Sequence, residues 1–584
     1  MHAKKLHLSS HELTMLALVI SATLLRFILI RLNWPFTNSD EGTMDLMALH
    51  IAYRGEHPIF YYGQEYMGPL EAYIGALLFH LFGVSVFTLR LALLPFFAFF
   101  LICMYYLTSM LYTKKLALFT VGLLSLGSSD IIEHQLLAIG GYPEIVLFGA
   151  LIFLLALWLA MSSSEGPRRY RRSGIGRATA STIIYPSLGH ISRPLRLLIY
   201  AFLGFVIGLA LWIDQLILPI VAAAGLLLLL FCYREALWGG VCLIAGSIIG
   251  AFPLIIYNIS APTGENSLDV LLFLNRVGAD QVIARHISPL QQWLDVFLLS
   301  LPIATGANPC HRIDDASLFR SSADSLSCIT LQSTWATGLT LLWSIAVLLA
   351  CLALWQCWHR SSLQEEWHEK RQMIILQTAR LLLLSSAALT FILFARSPAA
   401  ALYPVTSSRY LICMLLALPA LLWPLWKGLQ RLQVPHMRRT WVMVTCRVGI
   451  LLLIGTTFLL GTINTVVDIP HTQAAYTKED ALMHDLLRLG ATRIYSEYWT
   501  CNRIIFASDE RIICASLNGR LEPGFDRYLP YRTMVKEDRH PTYVFPLNSS
   551  QATAFAELHQ ADTHYRRYVL DGYVIYQIKI SRTN

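Results

Sequence analysis

The chain has 584 residues and a formal net charge of +8, with 55% hydrophobic and only 14% charged residues; its mean hydropathy is +0.52. A soluble chain carries about 25% charged residues, so an ordinary soluble enzyme is excluded, and repeated apolar runs of about 20 residues mark a polytopic membrane protein. The runs lack strand alternation, which leaves helices to satisfy the backbone, and Arg and Lys cluster in the short loops between them, so the positive charge sets membrane orientation and is no nucleic-acid signal.

The first run is residues 13–32, mostly Leu, Ile, Val, Ala and Phe. Lys4 and Lys5 precede it and no small-residue cleavage site follows, so it reads as a retained span with a cytoplasmic N-terminus. The loop 33–85 then opens on Asn38-Ser39-Asp40-Glu41-Gly42. Asp40 comes so soon after Leu32 that the linker reaches at most ~27 Å at ~3.4 Å per residue. Two adjacent carboxylates are therefore tethered to a membrane surface. Two amphipathic stretches follow, 44–53 and 69–82; the second is short for a span and suits the interface.

Spans two to four are predicted at 86–112, 116–126 and 145–161, with Lys114-Lys115 inside and Glu133, His134, Tyr142 and Glu144 on a second outer loop. The following loop carries Arg168, Arg169, Arg171, Arg172, Arg177, Arg193 and Arg196, the strongest positive-inside signal in the chain. Spans five to seven are 197–213, 216–233 and 237–257. The outer segment 258–332 contains an amphipathic piece, 289–303, and a polar loop bounded by Cys310 and Cys328. Spans eight to eleven are 335–358, 381–394, 410–426 and 441–464, and Ser407-Ser408-Arg409-Tyr410 heads span ten from the outer side. The expectation is a transmembrane domain over 1–464 with about eleven spans, each strongly basic loop falling inside.

The tail 465–584 is less apolar and reads as a small outer α/β domain. A helix over 478–489 ends at Gly490, which suits a C′ position. Strands are predicted at 493–498 and 542–545. Asp571-Gly572 supplies the tight turn of a hairpin over 568–576. Seven of the eleven cysteines lie in or beside spans and read as apolar packing. An oxidising exterior permits a disulfide in each outer pair, Cys310 with Cys328 and Cys501 with Cys514; free thiols are the alternative.

A lone acid on an outer loop is usually only solvated. Asp40 and Glu41 differ in being adjacent, close to the membrane, and followed by Gly42, which lets another backbone approach. Glu133, His134, Tyr142 and Glu144 emerge on the same side, as does Arg409. Carboxylates facing an arginine at a membrane surface suit a lipid phosphate: arginine holds phosphate through a planar fork, and a carboxylate can take a proton from a hydroxyl. Plainer readings cover other residues. Arg26 and Arg31 snorkel to the headgroups. Arg90 and Asp214 snorkel or pair structurally. His134 is a hydrogen-bonded loop histidine more often than a ligand. Tyr61, Tyr62, Tyr66 and Tyr73 bind sugar or anchor the interface.

An Asp-Glu pair on the first outer loop resembles the membrane glycosyltransferases of the C superfamily (GT-C). That group includes protein O-mannosyltransferases, aminoarabinose transferases of lipid A and oligosaccharyltransferase catalytic subunits. The resemblance extends to Met67-Gly68-Pro69-Leu70-Glu71-Ala72-Tyr73, Leu81-Phe82-Gly83, Leu89-Arg90-Leu91, Arg409-Tyr410 with Pro419, and the outer tail. Within that group the chain looks like the protein O-mannosyltransferases and aminoarabinose transferases, although it lacks the Lys before a Pro pair of the latter, and it lacks the Trp-Trp-Asp run of the oligosaccharyltransferases. It implies inverting transfer of a sugar from a polyprenyl-phosphate donor to a lipid, glycan or protein acceptor at the outer face of a plasma membrane. In that reading Asp40 and Glu41 are catalytic, with Asp40 the general base. Arg409, Tyr410, Glu144, Tyr142 and Tyr66 bind substrate. A divalent cation is left open, with Asp40, Glu144 and His134 as candidate ligands. The rival is a transporter or flippase of lipid-linked sugars; a non-catalytic membrane subunit is a third reading.

Overall fold

The computed structural model describes residues 9–163, 192–306, 326–359, 367–429, 438–559 and 564–579. The basic stretch 168–177 and Cys310 lie outside them, and with Cys310 the expected Cys310–Cys328 pairing.

Each predicted span is helical. Among the described residues, 8 helices are long and apolar enough to cross a membrane, or up to 10 if each of two bent pairs counts as one span. The bent pairs are Lys114–Ser125 with Ser129–Leu136, at 82°, and Leu237–Gly250 with Phe252–Ser260, at 67°. The remaining segment, Gln215–Phe231, is shorter. Of the eleven expected spans, eight are thus continuous among the described residues, two are bent and one is short. The breaks have local causes. Ser128 caps a new helix by accepting from the Ile131 N–H, and Pro253 sits at the start of Phe252–Ser260, where its ring cannot continue the preceding ladder.

Small residues set the tightest helix contact. Gly204 and Gly208 on Arg193–Ile213 face the helix carrying Gly246 and Gly250. A Cβ on Gly204 would lie 1.9 Å from the Leu243 carbonyl oxygen, and one on Gly250 2.1 Å from that of Phe205. Backbones approach this closely only without side chains between them. Arg26 does not snorkel as expected. It is fully buried, donates to the Ser125 carbonyl and to Gln135 Oε1 at 2.9 Å, and stacks on Phe97. The end of the broken helix leaves that carbonyl without an intrahelical partner, and Arg26 fills the gap.

The first loop folds as two helices, Ser39–Arg54 and Leu70–Phe82. The first, called the motif helix below, begins at Asn38, whose side chain accepts from the Glu41 N–H at 2.9 Å. Asp40 and Glu41 occupy its first turn, where the helix dipole favours carboxylates. It ends on Gly55 at φ 69°. Its first ten residues are all buried, because two different bodies cover it. One of them is the C-terminal domain. Met44, Met47, Tyr61, Ala72 and Phe79 of the loop share one apolar core with Leu482, Ile494, Ile505, Ile513, Tyr531 and Ile575.

That domain holds a five-stranded mixed sheet in the order β2-β1-β3-β5-β4, from β1 Arg493–Ser496, β2 Ile513–Ser516, β3 Thr542–Pro546, β4 Tyr565–Leu570 and β5 Tyr573–Ile578. β1 is parallel to β2 and β3; β5 is antiparallel to β3 and β4. The Asp571-Gly572 turn has φ of 49° and 85°, as the hairpin reading requires. Cys501 and Cys514 form a disulfide. Helix 478–489 is not separate: one helix, Arg438–Arg488, runs from the bundle into the domain and crosses the expected boundary at 464/465. The first loop braces it. Trp34 Nε1 donates to Asp468 at 3.0 Å, and Gln473 donates to the Leu32 carbonyl at 3.0 Å.

Candidate active site

The motif helix meets the C-terminal domain through its smallest residues. A Cβ on Gly42 would lie 2.6 Å from the Arg503 backbone nitrogen and 2.7 Å from its Cα, so glycine lets helix Tyr498–Ala507 pack directly against it. Ser39 Oγ accepts from the Asn502 N–H at 3.1 Å, and Asn502 Nδ2 donates to Thr43 Oγ1 at 2.8 Å. These contacts bring Tyr498, at the start of that helix, to Asp40.

Asp40 is 6% exposed. Its Oδ1 accepts from Arg527 Nη2 at 2.7 Å and from the Tyr498 hydroxyl. Arg527 Nε also donates to the Tyr498 oxygen at 2.7 Å, and the Tyr61 hydroxyl donates to the Asp40 carbonyl at 2.6 Å. The guanidinium lies over Tyr61, 4.5 Å from the ring centre, and beside Phe525 at 5.2 Å. Burial alone would push the Asp40 carboxyl up. The charges of Arg527 and Arg409, with hydrogen bonds from Tyr498 and Arg527, outweigh it and hold the group below the usual carboxylate range, so it is ionised.

Arg409 comes from a 3₁₀ stretch, Thr406–Ala417, that leads into an α-helix; a 3₁₀ run this long is uncommon. Its guanidinium lies 5.8 Å from the Tyr142 ring and 5.7 Å from that of Tyr410. Tyr66 lies near Tyr410, Arg527 and Asp214. The His134 ring stands edge-on to Tyr142 at 5.7 Å, and its Nδ1 donates to the Asp130 carbonyl at 2.6 Å. The fold therefore gathers Asp40, Arg409, Tyr410, Tyr142, Tyr66 and His134 from four separate parts of the chain.

Two predicted residues stand apart. Glu41 is fully buried and gives both oxygens to Arg90, from Nε at 2.8 Å and Nη2 at 2.6 Å, while Arg90 Nη1 donates to the Pro35 carbonyl at 2.8 Å. Beneath them Asp45 is sealed without a hydrogen-bond partner among the described residues. Burial and the Glu41 charge push its carboxyl well up, so it is held neutral. Glu144 faces Glu71, which accepts from the N–H groups of Gly140 at 3.2 Å and Gly141 at 2.9 Å. Burial pushes Glu71 up to about 7 against those two donors. Among the described residues no three His, Cys, Asp or Glu side chains are placed to hold a metal ion. Asp40, Glu144 and His134 have three different sets of neighbours, so this donor set does not fit a cation and no step below uses one.

Arg527, Tyr498 and Glu71 are not expected from the sequence, and Tyr61, read there as a sugar contact or interface anchor, instead bonds the Asp40 carbonyl and lies under Arg527. Gly42 carried the one usable signal, since a glycine after two acids predicts a close backbone approach; it does not say which backbone.

The architecture is a multi-pass helical bundle with a C-terminal sheet domain docked on a first loop that carries a buried Asp, and solved structures share it. The crystal structure of ArnT from Cupriavidus metallidurans bound to undecaprenyl phosphate is similar, with a TM-score of 0.52 at 12% identity, covering 97% of this chain and 98% of that one. The archaeal oligosaccharyltransferase AglB from Archaeoglobus fulgidus, in complex with an inhibitory peptide and a dolichol-phosphate, gives 0.42 at 13% identity, over 98% of this chain and 75% of that one. At such identities the likeness is one of fold, and the second score is too low to carry weight. No family model matches the chain, and no curated protein sequence matches it.

Proposed function

We propose that the chain is an inverting glycosyltransferase that moves a sugar from a polyprenyl-phosphate donor to a hydroxyl of a lipid, glycan or protein acceptor. In this reading the side carrying the C-terminal domain is the outer face of the membrane and the N-terminus is cytoplasmic. The observation that carries it is an ionised, buried Asp40 with two arginines acting on it, where the bundle meets the C-terminal domain. Asp40 takes the proton of the acceptor hydroxyl as that oxygen attacks the anomeric carbon. The new glycosidic C–O bond forms while the sugar–phosphate C–O bond breaks, and the polyprenyl phosphate leaves with the electron pair. Arg409 stabilises the charge that grows on it, the term that counts most in such a reaction. Tyr66, Tyr142 and Tyr410 line the donor side. Glu41 acts through position, fixing the first turn by its pair with Arg90. Glu71 holds the loop before Tyr142 through the Gly140 and Gly141 N–H groups, and Glu144 lies against it. The fold shared with an enzyme seen with undecaprenyl phosphate supports a lipid-phosphate donor.

Two broken spans also suit a transporter of lipid-linked sugars. One assay separates the readings: purified protein in lipid, given a panel of radiolabelled polyprenyl-phosphate sugars. Release of polyprenyl phosphate with transfer of label supports the enzyme. Movement of intact labelled lipid across the bilayer without release overturns it.

A further inference from the structure

Arg527 belongs to the C-terminal domain, yet it reaches Asp40 at 2.7 Å. It is 8% exposed, and its Nη1 has no hydrogen-bond partner among the described residues. Arg409, whose charge also acts on Asp40, likewise keeps a buried Nε without a partner. A guanidinium offers five N–H groups, and buried donors are nearly always met. Two arginines beside one carboxylate, each with an open buried donor, point to an anion that brings several acceptor oxygens.

The charge balance of the proposed reaction gives this pair a use. A polyprenyl-phosphate sugar is a phosphodiester with one negative charge. The departing polyprenyl phosphate is a monoester with close to two and one more terminal oxygen. Over the same step Asp40 gains the acceptor proton and loses its charge. Negative charge therefore leaves Asp40 as it arrives on the phosphate.

Resting on the glycosyltransferase reading, we propose that Arg527 is a second phosphate-binding residue that follows this charge. It pairs with Asp40 at rest, contacts the donor phosphate through Nη1, and transfers its Nη2 hydrogen bond to the leaving oxygens as Asp40 is protonated. Tyr498 donates to Asp40 from the same side and keeps the carboxylate aimed while the arginine turns away. The hand-over also makes Asp40 a better base at the moment it is needed, since a departing cation stops depressing its proton affinity. The site takes a phosphate on a polyprenyl chain, and the C-terminal domain supplies half of its cationic lining.

The test is equilibrium binding of undecaprenyl phosphate to the full-length protein in nanodiscs, with undecaprenol and inorganic phosphate as controls. Arg527→Ala weakens undecaprenyl phosphate about 10-fold or more, the scale of a lost charge-assisted contact, and leaves undecaprenol unchanged. Arg527→Lys recovers part of the loss. Asp40→Asn keeps an acceptor oxygen but removes the charge that competes for Arg527, and so tightens binding several-fold; this gain disappears in the Asp40→Asn, Arg527→Ala double variant. If the gain persists in the double variant, Asp40 merely repels the phosphate and the hand-over is wrong. If Arg409→Ala abolishes binding while Arg527→Ala matches wild type, the donor reading stands and the role of Arg527 falls. Inorganic phosphate competing at equal concentration with the lipid would make this a soluble-anion site and overturn the proposal. Equal binding of undecaprenyl phosphate and undecaprenol by wild type would sink the glycosyltransferase reading itself.

Discussion

Asp40 and Glu41 are neighbours on one helix, yet they face different parts of the molecule. Glu41 points into the bundle side and is closed off by Arg90, which also donates to the Pro35 carbonyl, and by the N–H of Ala138. Asp40 points to the C-terminal domain, where its partners are a hydroxyl and an arginine from a separate folding body. A helix turns about 100° per residue, so adjacent carboxylates fall on different faces, and each face meets what the fold brings to it. The lesson is that an adjacent acid pair need not act as a pair. One member fixes the helix; the other takes its partners from a surface that docks.

That contrast can be broken from either side. Arg90→Met should have the largest effect on stability. It leaves Glu41 buried and uncompensated, a loss of about 3–5 kcal/mol, read as a lower unfolding temperature and poor yield in detergent. Asp40→Asn retains an acceptor oxygen for Arg527 and Tyr498, so unfolding should shift far less. Next is Gly42→Ala. Its Cβ meets the backbone of Arg503, which cannot rotate away, so overpacking should cost about 1–3 kcal/mol. The loss should show as faster proteolysis of the C-terminal domain and reduced transfer, with the bundle intact. Acid should have the mildest effect. At the far end of the motif helix, Glu510 accepts from Tyr531 at 2.6 Å and pairs with His50 and Arg54. Burial opposes its ionisation, but those partners win and lower its carboxyl to about 2. A depressed carboxyl stabilises fully above its ordinary value of 4.5 and loses that contribution as pH falls through 2. Docking should therefore hold to about pH 4.5 and weaken below it, followed through the fluorescence of Trp499, which is half exposed. Loosening between pH 7 and 5 would contradict this.

Much of the architecture was legible because hydropathy depends on local composition. The apolar runs, the short interfacial helix Leu70–Phe82 and the Asp571-Gly572 hairpin follow from patterns within a few residues of each other. The bends were less so, although Pro253 is a local signal for one of them. Hydropathy ends helix Arg438–Arg488 at Asn464, where its apolar run stops, because it does not report a helix that continues outside the membrane. Arg26 reads as a snorkelling residue for a related reason. Its neighbours, Ser125 and Gln135, are about a hundred residues away in sequence, and only the tertiary fold puts a freed carbonyl beside it. At the site, Asp40 and Arg409 stood out by position. Arg527 sits in Asp526-Arg527-Tyr528 with no pattern around it, and its contact with Asp40 comes entirely from how the C-terminal domain docks.

The most direct test is sugar transfer by wild type, Asp40→Asn and Arg409→Ala in the same lipid, with the folded fraction measured alongside. Asp40→Asn should lower transfer by ~10²-fold or more while the protein stays folded, and Arg409→Ala should weaken donor binding. Undiminished transfer by folded Asp40→Asn would contradict the assignment of Asp40 as the base, and with it the division of labour between the two faces of the motif helix.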